Sequence, residues 1–414
     1  MTTSPPPCRF CGAPLTHTFL DLGRQPVANA NLTRAQLDAG TEQAWPLHTR
    51  VCAECFLVQA DDSVPPEAIF DADYAYFSSF SPSWVAHAKR YADAMAERFG
   101  LGPESLVVEV ASNDGYLLQH FLARDIPVLG VEPTANTAEA ARAKGVRTEV
   151  TFFNAETAPA LAARYGRADL MAANNVLAHV PRIGEFVAGF RHMLKADGVL
   201  TFEFPHLLNL IELVQFDTIY HEHYSYLSLL AVEQVLRANG LRPFDVETLP
   251  THGGSLRLFV CHMGAGFEET GALVALRARE HAAGLDRIET YGGFTPLVEA
   301  VRDSFRAFLA RAKSEGRSIA AYGAAAKGNT FLNYCGTTAD DIVAAFDANP
   351  AKQDRFLPGS HVPTFGPDAV REVRPDYVLI LPWNLKDEIM GQLGYIREWG
   401  GRFVVASPET RVLD

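Results

Sequence analysis

From Leu106 onward, short apolar runs alternate with amphipathic stretches, the pattern of a parallel sheet flanked by helices. It predicts strands over 106–111, 127–131, 146–149, 168–173 and 198–204, with helices over 115–124, 135–144 and 184–195. A helix over 228–239, a break at His252, Gly253 and Gly254, and a strand over 255–261 complete this unit. A long polar helical stretch, about 268–314, leads to a second strand, turn and helix start, Ser318 to Asn329, then an apolar run from Asp341 to Asp347. Upstream, a helix is expected from Trp84 to Phe99 behind a polar, aromatic run from Tyr74 to Ser83. Residues 1–70 are turn-rich. The expected class is therefore α/β, in three domains: 1–70, 71–265 and 266–414.

The run from Leu106 to Leu118 reads as a buried strand, a turn ending at Gly115 and a helix start. The next strand ends in Glu132 and Pro133, where a carboxylate meets a ribose diol in Rossmann-like folds. A glycine-rich diphosphate turn is absent: Ala111, Asn113 and Gly115 occupy it, with Glu109 on the strand. A carboxylate there repels a diphosphate and attracts the amino or sulfonium group of S-adenosylmethionine. Tyr116, and Asn174 and Asn175 beyond the strand 168–173, complete the candidate cofactor lining. In the second unit, Tyr322, Gly323, Lys327 and Asn329 form a small-residue turn at a helix start, and Asp347 closes the following run. Small residues, a lysine and a helix terminus suit a diphosphate. Two such turns suggest that one holds the cofactor and the other a nucleotide-linked substrate.

Composition narrows the partners. The chain has 414 residues, 48% of them hydrophobic, and a formal net charge of -13, which opposes a nucleic-acid-binding surface. It carries neither an apolar run of about 18 residues nor a signal pattern, so a cytoplasmic protein with no membrane partner is expected, as a monomer. Cys8 with Cys11 and Cys52 with Cys55 form two Cys-x-x-Cys knuckles, the spacing of one structural zinc site. A module this small needs the metal to fold.

The densest group of acid–base side chains is Phe216 to Tyr226. Methyl transfer to carbon needs a base beside a carbonyl and a donor for the enolate oxygen. His223 is the candidate base, Tyr220 and Tyr74 the candidate donors, and Glu222 the group that orients an imidazole or a sugar hydroxyl. Ser78 and Ser79 are expected to line the substrate site, as are His252, Gly253 and Gly254. A His-x-His metal site at His221 and His223 is the rival reading, and no helix-spaced His-Glu-x-x-His supports it.

These motifs together resemble the S-adenosylmethionine-dependent sugar C-methyltransferases acting on dTDP-linked keto-deoxysugars in antibiotic biosynthesis. The likeness rests on the cysteine quartet, Glu109 to Gly115, Asn174 to His179, Phe216 to His223, His252 to Gly254 and Tyr322 to Lys327, and spans essentially the whole chain. It departs at Ala111, where such turns often carry glycine. The resemblance implies a zinc-binding amino-terminal domain, a central class I methyltransferase domain, and a Rossmann-like carboxyl-terminal domain that helps to hold the dTDP-sugar. It matches Tyr74, His179, Tyr220, Glu222 and His223 to active-site positions, with His223 as base. The implied reaction removes a proton beside a 4-keto group, commonly at carbon 3, and methylates the enolate. Alternatives are an O- or N-methyltransferase of small molecules, a zinc-containing nucleic-acid-binding protein, and a dehydrogenase holding NAD at the 323–328 turn.

Overall fold

The computed structural model describes residues 4–64 and 77–413, so Tyr74 lies outside the described residues. Strands β1 (His17–Pro26), β2 (Ala44–Val51) and β3 (Val58–Ala60) form an antiparallel amino-terminal sheet. The central sheet contains β4 (Val107–Val110), β5 (Val128–Val131), β6 (Thr148–Glu149), β7 (Ala168–Asn174) and β8 (Leu194–Pro205). The short β9 (Ser225–Tyr226) leaves this unit and pairs with β3, completing the amino-terminal sheet. Strands β10 (Leu241–Leu249) and β11 (Ser255–His262) then return, giving the central order β10-β11-β8-β7-β4-β5-β6, with β11 antiparallel to both its neighbours.

Every residue of β4 and β5 is buried, because helices cover both faces of a parallel sheet. Val108, Leu129 and Met171 pack with Phe186 and Phe190 of the Ile183–Met193 helix. Val107, Leu170 and Ala172 face Tyr91 and Met95 of the Pro82–Arg98 helix.

The third sheet comprises β12 (Ile319–Tyr322), β13 (Ala345–Phe346), β14 (Arg355–Phe356), β15 (Pro363–Phe365), β16 (Tyr377–Ile380), β17 (Arg402–Val405) and β18 (Arg411–Leu413), in the order β14-β15-β13-β12-β16-β17-β18. In both large sheets the strand order reverses beside the first strand, between β4 and β7 and between β12 and β16, and crevices form at such points.

Some boundaries shift. The helix expected over 115–124 is Leu118–Leu122, because Asn113 at φ +49° and Gly115 at φ +76° keep the turn open. The stretch 268–314 divides into helices Gly271–Ala282, Ile288–Gly292 and Phe294–Ser314, the first break falling at Gly284 with φ +80°. Asp341 turns the chain by accepting the Thr338 N–H, leaving only Ala345–Phe346 as strand.

The amino-terminal unit does not stand alone. Phe19 stacks on Phe294 with centroids 4.7 Å apart, and Leu22 and Leu47 share a core with Tyr291 and Phe305. Leu32 bridges to Phe356 of the third sheet. Among the described residues no helix is long and apolar enough to cross a membrane.

Candidate active site

Glu109, next to last in the buried strand β4, is 1% exposed, and the Tyr116 side chain beside it is the one donor among the described residues that counters its burial. Burial pushes its carboxyl pKa well above the ordinary range, and Glu132 and Asp114 add to the rise. Asp114 Oδ1 and Asn174 Oδ1 are buried acceptors without a donor among the described residues. Such a set fits the ammonium and sulfonium charges of S-adenosylmethionine, since a cation offsets the cost of burying a carboxylate. Glu132 Oε2 accepts the Asn113 N–H at 2.9 Å and Oε1 the Thr134 N–H at 3.0 Å. Each oxygen keeps a second lone pair for a ribose hydroxyl.

Ser78 and Ser79 lie on this turn. The Ser78 N–H donates to Asn113 Oδ1 at 2.9 Å and the Ser79 N–H to Asp114 Oδ2 at 3.3 Å. Lys144 Nζ joins Ser79 Oγ at 2.6 Å to Asp114 Oδ2 at 3.0 Å. The structure therefore places both serines against the cofactor turn, where their amides take up Asn113 and Asp114 acceptors.

Trp84 stacks on Tyr116 and His87 and meets the edge of His252 at 5.5 Å. His252, at φ +54°, accepts from Asn175 Nδ2 at 3.3 Å. Glu203, fully buried at the end of β8, organises this wall. It is bonded to His87 at 3.1 Å, Arg257 at 2.8 Å and Thr251 Oγ1 at 3.1 Å. Burial alone would raise its pKa, and His87 and Arg257 outweigh burial to lower it. The sequence signal for Glu203 is a charge inside the apolar run Leu200 to Phe204.

In the segment Phe216 to Tyr226, the His223 ring lies 4.0 Å from Tyr220 and 4.6 Å from His179, centroid to centroid. His223 Nδ1 donates to the Thr218 carbonyl at 2.9 Å. A carbonyl only accepts, so the proton sits on Nδ1 and the lone pair on Nε2. Burial holds the His223 pKa well below the ordinary value, with His179, His252 and Lys327 contributing. Burial likewise lowers His179 to about 4. Glu222 receives Asn29 Nδ2 at 2.8 Å from the amino-terminal unit, and burial raises its pKa. His221 turns to the Pro46 carbonyl at 3.2 Å.

The third sheet repeats the geometry of the cofactor turn. Asp347 Oδ2 accepts the Ala324 N–H at 2.6 Å and Oδ1 the Asn349 N–H at 2.8 Å, as Glu132 does for Asn113 and Thr134. Gly323 takes φ +93°, and a Cβ there would lie 2.5 Å from Pro382 Cδ. Lys327 Nζ donates to Asn384 Oδ1 at 2.8 Å and lies 4.7 Å from the ring of Trp383, whose Nε1–H donates to Asp217, so this crevice adjoins the segment Phe216 to Tyr226. Tyr322 is buried at the end of β12. Asn329, expected among the substrate contacts, bonds instead to the Ala28 carbonyl at 2.7 Å and anchors the amino-terminal unit.

The sulfurs of Cys8, Cys11, Cys52 and Cys55 lie within 4.8 Å of one another, with Cys8 to Cys55 at 3.6 Å and Cys11 to Cys52 at 3.5 Å. A tetrahedral zinc with ~2.3 Å bonds needs sulfurs about 3.8 Å apart. Gln59 Nε2 donates to Cys8 Sγ at 3.2 Å, the outer-shell contact expected of a thiolate ligand.

Three family models cover the chain: a zinc binding domain over residues 8–70, a methyltransferase domain over 84–246 and a C-methyltransferase C-terminal domain over 250–408. The C-methyltransferase NovU of Streptomyces niveus is 36% identical over 406 residues, 98% of this chain and 96% of NovU. The chain belongs to the C-methyltransferase family. This C-methyltransferase also shares 25% identity over 158 residues with a ubiquinone biosynthesis O-methyltransferase of Rhodopseudomonas palustris, covering 33% of this chain and 62% of that one. The magnesium protoporphyrin IX methyltransferase of Synechocystis covers 44% of this chain and 81% of its own, at 15% identity and a TM-score of 0.33. The C-methyltransferase is thus an S-adenosylmethionine-dependent enzyme with a zinc-binding amino-terminal domain.

Proposed function

We propose that this C-methyltransferase removes the proton beside the ketone of a dTDP-linked 4-keto-deoxysugar, at carbon 3, and methylates the resulting enolate. The observation that carries this reading is the neutral His223 ring, its Nδ1–H held by Thr218 and its Nε2 lone pair set among Tyr220 and His179. The carbon-bound proton passes to Nε2, and the electron pair moves onto the sugar oxygen. Tyr220 donates to that oxygen, and Glu222 orients a sugar hydroxyl. The nucleotide lies against Gly323 to Lys327, with Lys327 toward the diphosphate and Asp347 holding the turn. S-adenosylmethionine supplies an electrophilic methyl group for the carbon nucleophile. The likeness to the C-methyltransferase NovU along nearly the whole chain supports carbon as the methyl acceptor, and the sugar nucleotide rests on the resemblance of the motifs to sugar C-methyltransferases.

Mass spectrometry of dTDP-4-keto-deoxysugars incubated with the enzyme tests this. In deuterated water without cofactor, one deuterium should enter beside the ketone; with S-adenosylmethionine, one methyl group should enter at carbon 3. His223→Ala should lose both signals while retaining S-adenosylmethionine. Methylation on oxygen or nitrogen would overturn the reading.

A further inference from the structure

Trp383 sits just beyond β16, at the reversal point of the third sheet, where it packs against that sheet's core while its indole also reaches the central unit. Its indole Nε1–H donates to Asp217 Oδ2 at 2.6 Å. Asp217 is 2% exposed, and its Oδ1 has no partner among the described residues. The ring edge also presses on the turn that carries His252: a Cβ at Gly253 would lie 2.3 Å from Trp383 Cη2. Gln215 Nε2 closes the same contact by donating to the Gly253 carbonyl at 2.8 Å. Above the ring, Lys327 Nζ lies 4.7 Å from the centroid, within cation–π range.

Asp217 is adjacent to Thr218 in the 3-10 turn Phe216–Thr218, and the Thr218 carbonyl fixes the His223 ring. One indole therefore pins the turn that sets the tautomer of the base, the turn that bears His252, and the lysine of the facing crevice. A buried carboxyl group that lost this donor would be left with only the Asp217 and Thr218 amides of its own turn, so the turn would rearrange.

We propose that Trp383 is a positioning residue that couples the crevice of the third sheet to His223 through Asp217 and Thr218. Its catalytic consequence rests on the proposed reading of His223 as base; the coupling itself does not.

Amide hydrogen exchange on the full-length, zinc-loaded chain with S-adenosylhomocysteine bound tests the coupling without any sugar. Trp383→Phe keeps an aromatic face for Lys327 while removing the N–H and the Cη2 edge that meets Gly253. Peptides spanning 214–224 and 250–256 should then exchange at least about tenfold faster, the equivalent of one hydrogen bond to a buried carboxylate, while 107–131 stays unchanged. Asp217→Asn, which retains an acceptor for the indole, should lie closer to wild type than Asp217→Ala. Wild-type exchange in 214–224 of Trp383→Phe would overturn the coupling, and so would faster exchange spread evenly over the chain. With a dTDP-4-keto-deoxysugar, Trp383→Phe should lower the rate of deuterium entry more than it changes the KM for S-adenosylmethionine. Absence of deuterium entry in wild type would sink the reading of the base and leave the exchange result to decide the coupling.

Discussion

His223 and Thr218 are joined by a single 2.9 Å hydrogen bond from ring Nδ1 to carbonyl oxygen, which fixes Nε2 as the basic atom. Burial, then His179, His252 and Lys327, hold the His223 pKa well below 6.5. A lowered pKa keeps the ring neutral as pH falls, so the rate of proton abstraction should stay on its plateau from pH 8 through 6.5 and drop only well below that. Lys327→Met removes a positive neighbour and should move this acid limb to higher pH. The pH profile of deuterium entry into the sugar checks both, and an unmoved limb would contradict the electrostatic link between Lys327 and the base.

Glu132 anchors the cofactor turn through two backbone donors, Asn113 N–H and Thr134 N–H. Glu132→Ala leaves the buried Asn113 amide without that acceptor, a cost of roughly 1–3 kcal/mol, and the half-buried Thr134 amide too, at a smaller cost. S-adenosylhomocysteine should bind at least about tenfold more weakly by calorimetry. Glu132→Gln retains one carbonyl acceptor and should fall between the two.

Much of the central sheet was legible because its strands are short apolar runs buried on both faces, as in Val107–Val110 and Val128–Val131. Strand Leu241–Leu249 was not, since Arg242, Pro243, Asp245 and Glu247 interrupt its apolar residues and only pairing with Ser255–His262 holds it. Ser225–Tyr226 was equally hidden: two residues have no periodicity, and their partner strand Val58–Ala60 lies far back in the chain. The same reason separates the parts of the site that could be read. His223, Tyr220 and Glu222 crowd into one segment, whereas Asp217 meets Trp383 across 166 positions and Glu203 meets His87 across 116. Asn329 was misplaced because a turn beside a phosphate and a turn beside another domain use the same small residues; its amide goes to Ala28.

The zinc site and the His223 segment share a sheet, since Tyr226 pairs with Val58 three residues beyond His223 and Val58 follows Cys55 by three. Cysteine-bound structural zinc contributes several kcal/mol or more to folding. Purified enzyme should carry one zinc per chain by elemental analysis. Cys55→Ser should lower the zinc content and the melting temperature, and slow deuterium entry into the sugar as well. A zinc-depleted variant with full melting temperature and full activity would mean that the strand pairing, not the metal, holds this lobe.

Gly316 and Gly323 flank the same strand with positive φ, +65° and +93°, in unlike surroundings. A Cβ at Gly316 would meet nothing within 4 Å, whereas one at Gly323 would lie 2.5 Å from Pro382 Cδ and 2.8 Å from its Cγ. Gly316→Ala therefore carries only the backbone strain of a left-handed alanine, about 1 kcal/mol. Gly323→Ala adds a steric clash that must move either the 323–327 turn or the Pro382 loop, and Trp383 rides on that loop. Thermal unfolding should show a small loss for Gly316→Ala and a larger one for Gly323→Ala. Calorimetry with dTDP should show near-wild-type affinity for the first and weakened affinity for the second. Equal dTDP affinity in both variants, with Gly323→Ala folded, would remove the nucleotide from this crevice and assign the turn to packing alone.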